Sequence, residues 1–346
     1  MVKMSDVAKA ANVSSATVSR VLAGSPHVSK ETKERVLRVI EELNYKPNRL
    51  ASNLRRMSAK TIMVVLPDIT NPFFAKIVQG FEDVAHERGY YVLLGDTGNR
   101  LSLEREFIEL SRERAVDGLI LATARIPNKE IQEVSEHVPL VLACEYVDGL
   151  DIPTVSIDNV GAARAATEFL IESGHRRVAH ISGPMAVVLS RDRVKGYRQA
   201  VQLHDLELDD RLIQEGDFTV QSGYHNMLKL LSLDNPPTAV FAANDEMAVG
   251  AIKAAKSLGI RVPEDLSVIG FDDIPLAMLV EPELTTVHQP QYDIGRHAMR
   301  MLLDIVEGRA PRRRQVVLSH RIVVRGSTMD VSGSEQTGNR VEGVTL

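Results

Sequence analysis

Near the start of the chain, apolar residues fall at helical spacing in two short runs separated by a polar turn. Val7, Ala8 and Ala11 form one stripe, and Val18, Val21 and Leu22 form a second beyond Asn12-Val13-Ser14. Ser5 is placed to cap the first helix by accepting from its exposed N–H groups. If the second helix buries Val18, Val21 and Leu22, then Ser15, Ala16, Thr17, Ser19 and Arg20 lie near its start or on its outer side. A third helix is predicted after Ser29, with Val36, Ile40 and Leu43 on one side and an end near Tyr45. Lys46-Pro47-Asn48 stops it, because proline lacks a donor and biases its predecessor away from helix. The basic segment NRLASNLRR (48–56) then spaces Leu50 and Leu54 as a helix would. Alone in water so short a helix is marginal, and it should order when something, DNA or a partner subunit, covers it.

From Thr61 the texture changes. TIMVVL (61–66), YYVLLG, GLILAT and PLVLAC (ending at Cys144) read as buried strands, with helical patterns such as Phe74, Ile77, Val78, Phe81 and Ala85 between them. The alternation starts again with TVSID (154–158), VAHISG (178–183), TAVFAAN (238–244) and LSVIGFD (266–272). Strands alternating with helices require crossovers and a parallel sheet, and two such sets imply two similar lobes. The expected fold class is therefore an all-α helix-turn-helix head followed by an α/β core of two doubly wound parallel-sheet lobes. The polar, glycine-rich stretch 331–346 reads as a disordered tail.

Charge sharpens this division. Residues 1–60 carry 12 Lys+Arg against 5 Asp+Glu, a formal +7, whereas the whole chain is at −5. A helix-turn-helix sets its second helix in the DNA major groove, and a basic head on an acidic body suits phosphate binding confined to that head. An ordinary helical hairpin shares the apolar stripe but not the coincidence of stripe and charge. Aromatic content is only 4%, Trp is absent, and the single cysteine, Cys144, rules out an internal disulfide. No run is long and apolar enough for a bilayer span or a signal peptide, so the expected location is cytoplasmic and no membrane partner is expected.

Several strands run directly into polar groups, where open parallel sheets bind ligands. TIMVVLP delivers Asp68 and Asn71 before Phe73-Phe74, TAVFAA delivers Asn244-Asp245, and LSVIGF delivers Asp272-Asp273; Arg193, expected to open a helix, and Phe218 in EGDFT join them. Carboxylates, an amide and a guanidinium offer directed donors and acceptors, and phenylalanine faces suit a flat ring. This set fits a polyhydroxylated or heterocyclic ligand, although such an Asp can also cap a helix and such a Phe can belong to the core. The chain has no GxGxxG after its first strand, no P-loop, no HExxH and no nucleophile elbow. His86, His175, His180 and His288 lack a carboxylate at relay spacing. No catalytic residue, metal or cofactor is expected, and the chain is read as a binding protein rather than an enzyme.

Taken in order, DVAKAANVSSATVSRVL, VSKETKERV, LNYKPNRLASNLR, PDITNPFF, DNVGAA, SGHRRVAHISGP, RVKGY, EGDFT, ANDEMAVGA, VPEDLSVIGFDD and LTTVHQP resemble the lac/galactose repressor family of bacterial transcription regulators, over residues 3 to about 328. PDITNPFF, DIPTVSIDN and QPQYDIGRHAM look most like its cytidine-repressor branch. The resemblance implies a homodimer with a DNA-binding domain at 1–47, a hinge helix and linker at 48–60, and an effector-binding core at 61–330 of the type I periplasmic-binding-protein kind. Within the core it implies an N-lobe of 61–159 plus 288–318 and a C-lobe of 160–287 plus 319–330. It places Ser15, Ala16 and Arg20 at base edges, Thr17 and Ser19 at phosphates, and Leu54 as a wedge in the minor groove of a pseudo-palindromic operator. It sets Asp68, Phe74, Arg193, Phe218, Asn244 and Asp272 around a small effector, with a nucleoside first and a sugar second. Two alternatives stay open: a catabolite-control-type regulator with a phosphoprotein corepressor, and a cytoplasmic carbohydrate-binding sensor. Neither the direction of the ligand's effect nor the operator follows from the residues. The tail has no leucine heptad, so nothing supports a tetramer.

Overall fold

The computed structural model describes residues 2–22, 25–45, 59–113 and 115–332. It divides into two compact units, Met1–Ala59 and Lys60–Leu346.

In the first unit, α1 (Met4–Ala10), α2 (Ser15–Leu22) and α3 (Lys30–Glu42) enclose Val7, Ala8, Ala11, Val18, Val21, Val36, Val39 and Tyr45. Asn12 turns the chain between α1 and α2 in the left-handed region, φ 52°, which its short side chain tolerates. Ser14 caps α2 by accepting from the Thr17 N–H at 3.1 Å, and Ser29 caps α3 by accepting from Thr32 at 3.3 Å. Ser5 does not cap α1, contrary to the sequence reading. It lies inside the helix, and Asp6 reaches back to accept from the Lys3 N–H at 2.8 Å, a carboxylate being the stronger acceptor at a helix N-terminus. The hinge segment falls largely within residues 46–58, and Leu54 lies outside the described residues.

Among its described residues the second unit has two six-stranded sheets. The first runs β11-β5-β4-β3-β1-β2, from β1 (Thr61–Leu66), β2 (Tyr91–Asp96), β3 (Gly118–Leu121), β4 (Leu140–Ala143), β5 (Thr154–Ile157) and β11 (Gln315–Leu318), all parallel. The second runs β12-β10-β9-β8-β6-β7, from β6 (Val178–Ser182), β7 (Ile213–Glu215), β8 (Ala239–Ala242), β9 (Ser267–Asp272), β10 (Thr285–His288) and β12 (Arg321–Val323). Here β12 is antiparallel to β10, a departure from the all-parallel expectation. Only Ser319 and His320 follow the carboxyl end of β11, so β12 enters the second sheet at the carboxyl end of β10, with Arg321 opposite His288, and runs back against it.

The chain passes from the first sheet to the second between β5 and α7 (Asn159–Glu172), back between β10 and α11 (Gln291–Val306), and over again between β11 and β12. Helices pack tightly where glycines meet. α4 (Pro72–Glu87) carries Gly80 against Tyr292 and Arg296 of α11, and α11 returns Gly295 against the Ile77 carbonyl. A methyl group at Gly295 would enter that carbonyl. Gly295→Ala should therefore destabilise the core by about 1–3 kcal/mol through overpacking, read as a lower urea midpoint at unchanged slope; an unaltered midpoint would show that the pair can separate freely.

Candidate functional site

On the head, the outer side of α2 is polar and wet. Ser15, Ala16 and Arg20 are exposed, Thr17 and Ser19 are half-buried, and Val18 and Val21 are buried beneath them. The Thr17 hydroxyl lies 2.9 Å from that of Ser14, so the helix cap holds it in place. No described ion pair involves Arg20, whose long side chain stands free in the last turn of α2.

In the core, the six predicted ligand residues line one cleft between the two sheets. Asp68 and Phe74 come from the first lobe, and Arg193, Phe218, Asn244 and Asp272 from the second; Phe73, Arg125, Glu145 and Glu246 also border it. The strand order explains the convergence, because β1, β3, β4, β8 and β9 all present their carboxyl ends there. The cleft encloses about 110 Å³.

Local chemistry fixes each wall. Asp68 accepts from the Thr70 N–H (2.8 Å) and hydroxyl (2.6 Å) through one oxygen, folding the loop so that Asn71 caps α4 at Phe73. Phe73 and Phe74 pack edge to face at 5.2 Å. Opposite, Phe218 sits at φ 70° after Asp217, which binds Thr219 in the same kind of turn, and its ring lies over Gly183, where any Cβ would collide with it. Asn244 ties this wall together, capping α10 (Asp245–Ser257) at the Met247 N–H and donating to the Phe218 carbonyl at 2.9 Å.

Arg193 does not open its helix, contrary to the sequence reading. α8 (Val188–Leu203) begins five residues earlier because Val187 and Val188 are buried and anchor its first turn. Arg193 is thereby turned inward and buried. Its guanidinium donates to Asn159 at 3.1 Å and to the Ala243 carbonyl, and lies 3.7 Å over the Phe271 ring. Asp272 shares this interior, at φ 117° and followed by Asp273 at φ 60°. Two successive non-glycine residues held in the left-handed region are a strained turn. It is clamped by Gln289 donating to the Asp272 carboxylate at 2.7 Å, and by His288 and Arg325 on Asp273 at 2.9 and 2.6 Å.

Burial dominates the electrostatics. It pushes the Asp272 carboxyl up to about 7 although Arg193 and Gln289 pull it down, and it pushes Glu145 up to about 7 against the Ala124 N–H and Arg125. Burial also raises Glu246, and Asp68 across the cleft raises it further. The cleft thus gathers more carboxyls than cations, which favours ligands rich in hydrogen-bond donors. His175 and His180 have structural roles: the first bridges Thr238 and Ser267, and the second is stacked between Tyr197 and Phe241.

A pH dependence follows from Glu145. Its folded value lies above its ordinary one, so the folded state holds a proton that the unfolded chain releases between about pH 4.5 and 7. That contribution is complete below the window, is lost as pH rises through it, and stays lost above. Glu145→Gln removes the term, so its melting temperature relative to wild type should climb between pH 5 and pH 8, by an amount equivalent to about 1–3 kcal/mol. A difference independent of pH would show that the carboxyl is not desolvated.

Sequence reasoning missed Arg125, Glu145 and Glu246. The first two follow β3 and β4 just as Asp68 follows β1, so the strand-end rule that found the others applies to them.

A helix-turn-helix head in a chain with a two-lobed α/β core and a polar cleft defines a ligand-responsive, DNA-binding regulator. Comparison with known proteins agrees. Residues 3–48 match the bacterial regulatory proteins of the lacI family, and residues 167–328 match the periplasmic binding protein-like domain. The chain is 42% identical to the HTH-type transcriptional repressor CytR of Escherichia coli (strain K12) over 94% of its length and 96% of that protein's. It is 40% identical to catabolite control protein A of Priestia megaterium over 93% of its length and 98% of that protein's. Its fold superposes on the lac repressor dimer bound to operator and the anti-inducer ONPF with a TM-score of 0.86, at 28% identity, covering 95% and 99% of the two chains. The chain belongs to the lacI family of transcriptional regulators. These relatives are regulators rather than enzymes. Among the described residues no helix is long and apolar enough to cross a membrane.

Proposed function

We propose that this chain is a repressor that binds a pseudo-palindromic operator as a homodimer in the cytoplasm and leaves it when a nucleoside occupies the cleft. One observation carries the choice of ligand: phenylalanine rings from both lobes face the same space as a buried aspartate and a buried arginine. The rings suit the faces of a base, while Asp272, Arg193 and Asn244 suit ribose hydroxyls. A sugar would use the polar groups and leave the rings uncovered. Ser15, Ala16 and Arg20 read base edges, Thr17 and Ser19 hold phosphates, and Leu54 wedges into the minor groove.

Ligand binding changes the angle between the lobes and so the spacing of the two hinge segments. Because the hinge is marginal alone, a differential of about 1–3 kcal/mol between states shifts operator occupancy roughly 5–150-fold. A thermal-shift screen of nucleosides, purines, sugars and sugar phosphates tests the ligand class. Nucleosides should give the largest rise in melting temperature, and a response to sugars alone would overturn this reading.

A second reading, regulation by a phosphoprotein corepressor, is favoured by a groove on the first lobe where Arg300, Arg312 and Arg313 outnumber the acidic groups left over once Asp304 and Glu307 pair with Arg88 and Arg309. In that case nucleosides would leave operator affinity unchanged and the phosphoprotein would raise it.

A further inference from the structure

We infer that Arg125 and Glu145, on the first-lobe wall of the cleft, are the residues that select the base, favouring a ring with an exocyclic amino group next to a ring acceptor. This rests on the nucleoside reading of the cleft and goes beyond it in assigning the recognition of the base edge.

The two side chains stand past the carboxyl ends of neighbouring strands, β3 and β4, on the lobe opposite Arg193 and Asp272. Glu145 is 5% exposed, and its one described hydrogen bond is the Ala124 N–H on Oε2 at 3.0 Å. Its other oxygen has no described partner. Arg125 makes no described ion pair, and its Nε is buried without any hydrogen-bond partner. Leaving a buried donor unmet is costly, so the Nε–H of this half-buried guanidinium awaits a partner that enters the cleft. Glu104 bonds the backbone N–H groups of Arg125 and Ile126 through one oxygen, and no hydrogen bond from it to the Arg125 guanidinium is described.

The chemistry that satisfies both groups is narrow. Above about pH 7 the Glu145 carboxyl is ionised and only accepts, while a guanidinium only donates. A ring edge with an amino group beside an unprotonated nitrogen or carbonyl offers the matching donor and acceptor. Replacing the amino group with an oxo group sets a carbonyl oxygen against the Glu145 carboxylate. Sites built to hydrogen-bond a group reject the analogue that lacks it far more strongly than apolar pockets reject a change of shape. The second-lobe residues, facing the sugar, would not sense this exchange.

The experiment is calorimetric titration of the full chain at about pH 8, where Glu145 is ionised, with two matched pairs, cytidine against uridine and adenosine against inosine. Wild type should bind the amino member of each pair at least tenfold more tightly. Glu145→Gln, whose amide both donates and accepts, should shrink that ratio to about threefold or less. Arg125→Met should weaken cytidine and adenosine at least tenfold. Nucleoside binding without amino preference in wild type, or an unchanged ratio in Glu145→Gln, overturns the assignment while leaving the nucleoside reading intact. Failure of all four to bind wild type overturns both.

Discussion

Asp272→Ala is expected to remove the regulatory response, leaving operator Kd nearly the same with and without nucleoside at a concentration that just saturates wild type. The carboxylate is buried at the end of β9, held in a strained turn, and only Gln289 is described as donating to its side chain. A charge-assisted hydrogen bond to a ligand hydroxyl in such surroundings contributes about 1.5–3 kcal/mol, so its loss weakens the ligand roughly 10–150-fold. Truncation also leaves Arg193 buried without the carboxyl that most favours its charge, which distorts the same wall. Because coupling is reciprocal, a cleft that no longer binds nucleoside in preference for one state cannot pass any preference to the head. Fluorescence anisotropy of a labelled operator duplex reads the effect. A retained response, within threefold of wild type, would place the effector elsewhere.

Arg20→Ala should weaken specific operator binding by about 1–3 kcal/mol, some 5–150-fold, and relax the preference at one symmetric base-pair position. Arg20 is exposed on α2 and commits its guanidinium to no described ion pair, so its five donors are available to a guanine edge. The discriminating comparison is a set of single-base operator variants titrated at two salt concentrations. A base contact loses affinity on the preferred sequence alone and barely alters the salt slope. Equal loss on every sequence, with the slope reduced by about one, would instead make Arg20 a phosphate ligand.

How much of this was legible in the chain depends on the range of the interaction involved. The periodicity of Val18 and Val21, or of Ile77 and Phe81, is a local signal, and these side chains are buried in their clusters. Asp68, Asn244 and Asp272 could be located because the end of a parallel strand is both a sequence pattern and a place in space. Arg125 and Glu145 obey the same rule, yet GLILAT and PLVLAC end in small or apolar residues that drew the strand reading to a stop one or two positions short. Burial, not residue type, makes Glu145 unusual, and burial depends on the opposite wall. The start of α8 depended on the packing of Val187 and Val188, and the reversal of β12 on a two-residue connection. At Ser5 the choice lay between two acceptors one residue apart, and the charged one prevailed.

The central claim, that a helical head reads duplex DNA and a distant cleft sets its grip, is tested most directly by selecting sequences from a random duplex pool with the purified full-length protein. Anisotropy then gives the affinity of the winner against unselected duplex, with and without nucleoside. The account predicts a pseudo-palindromic winner bound at least 10³-fold more tightly than random duplex, with that affinity falling between 5- and 150-fold when nucleoside is added. No enriched sequence, or an enriched one whose affinity no nucleoside alters, would contradict it.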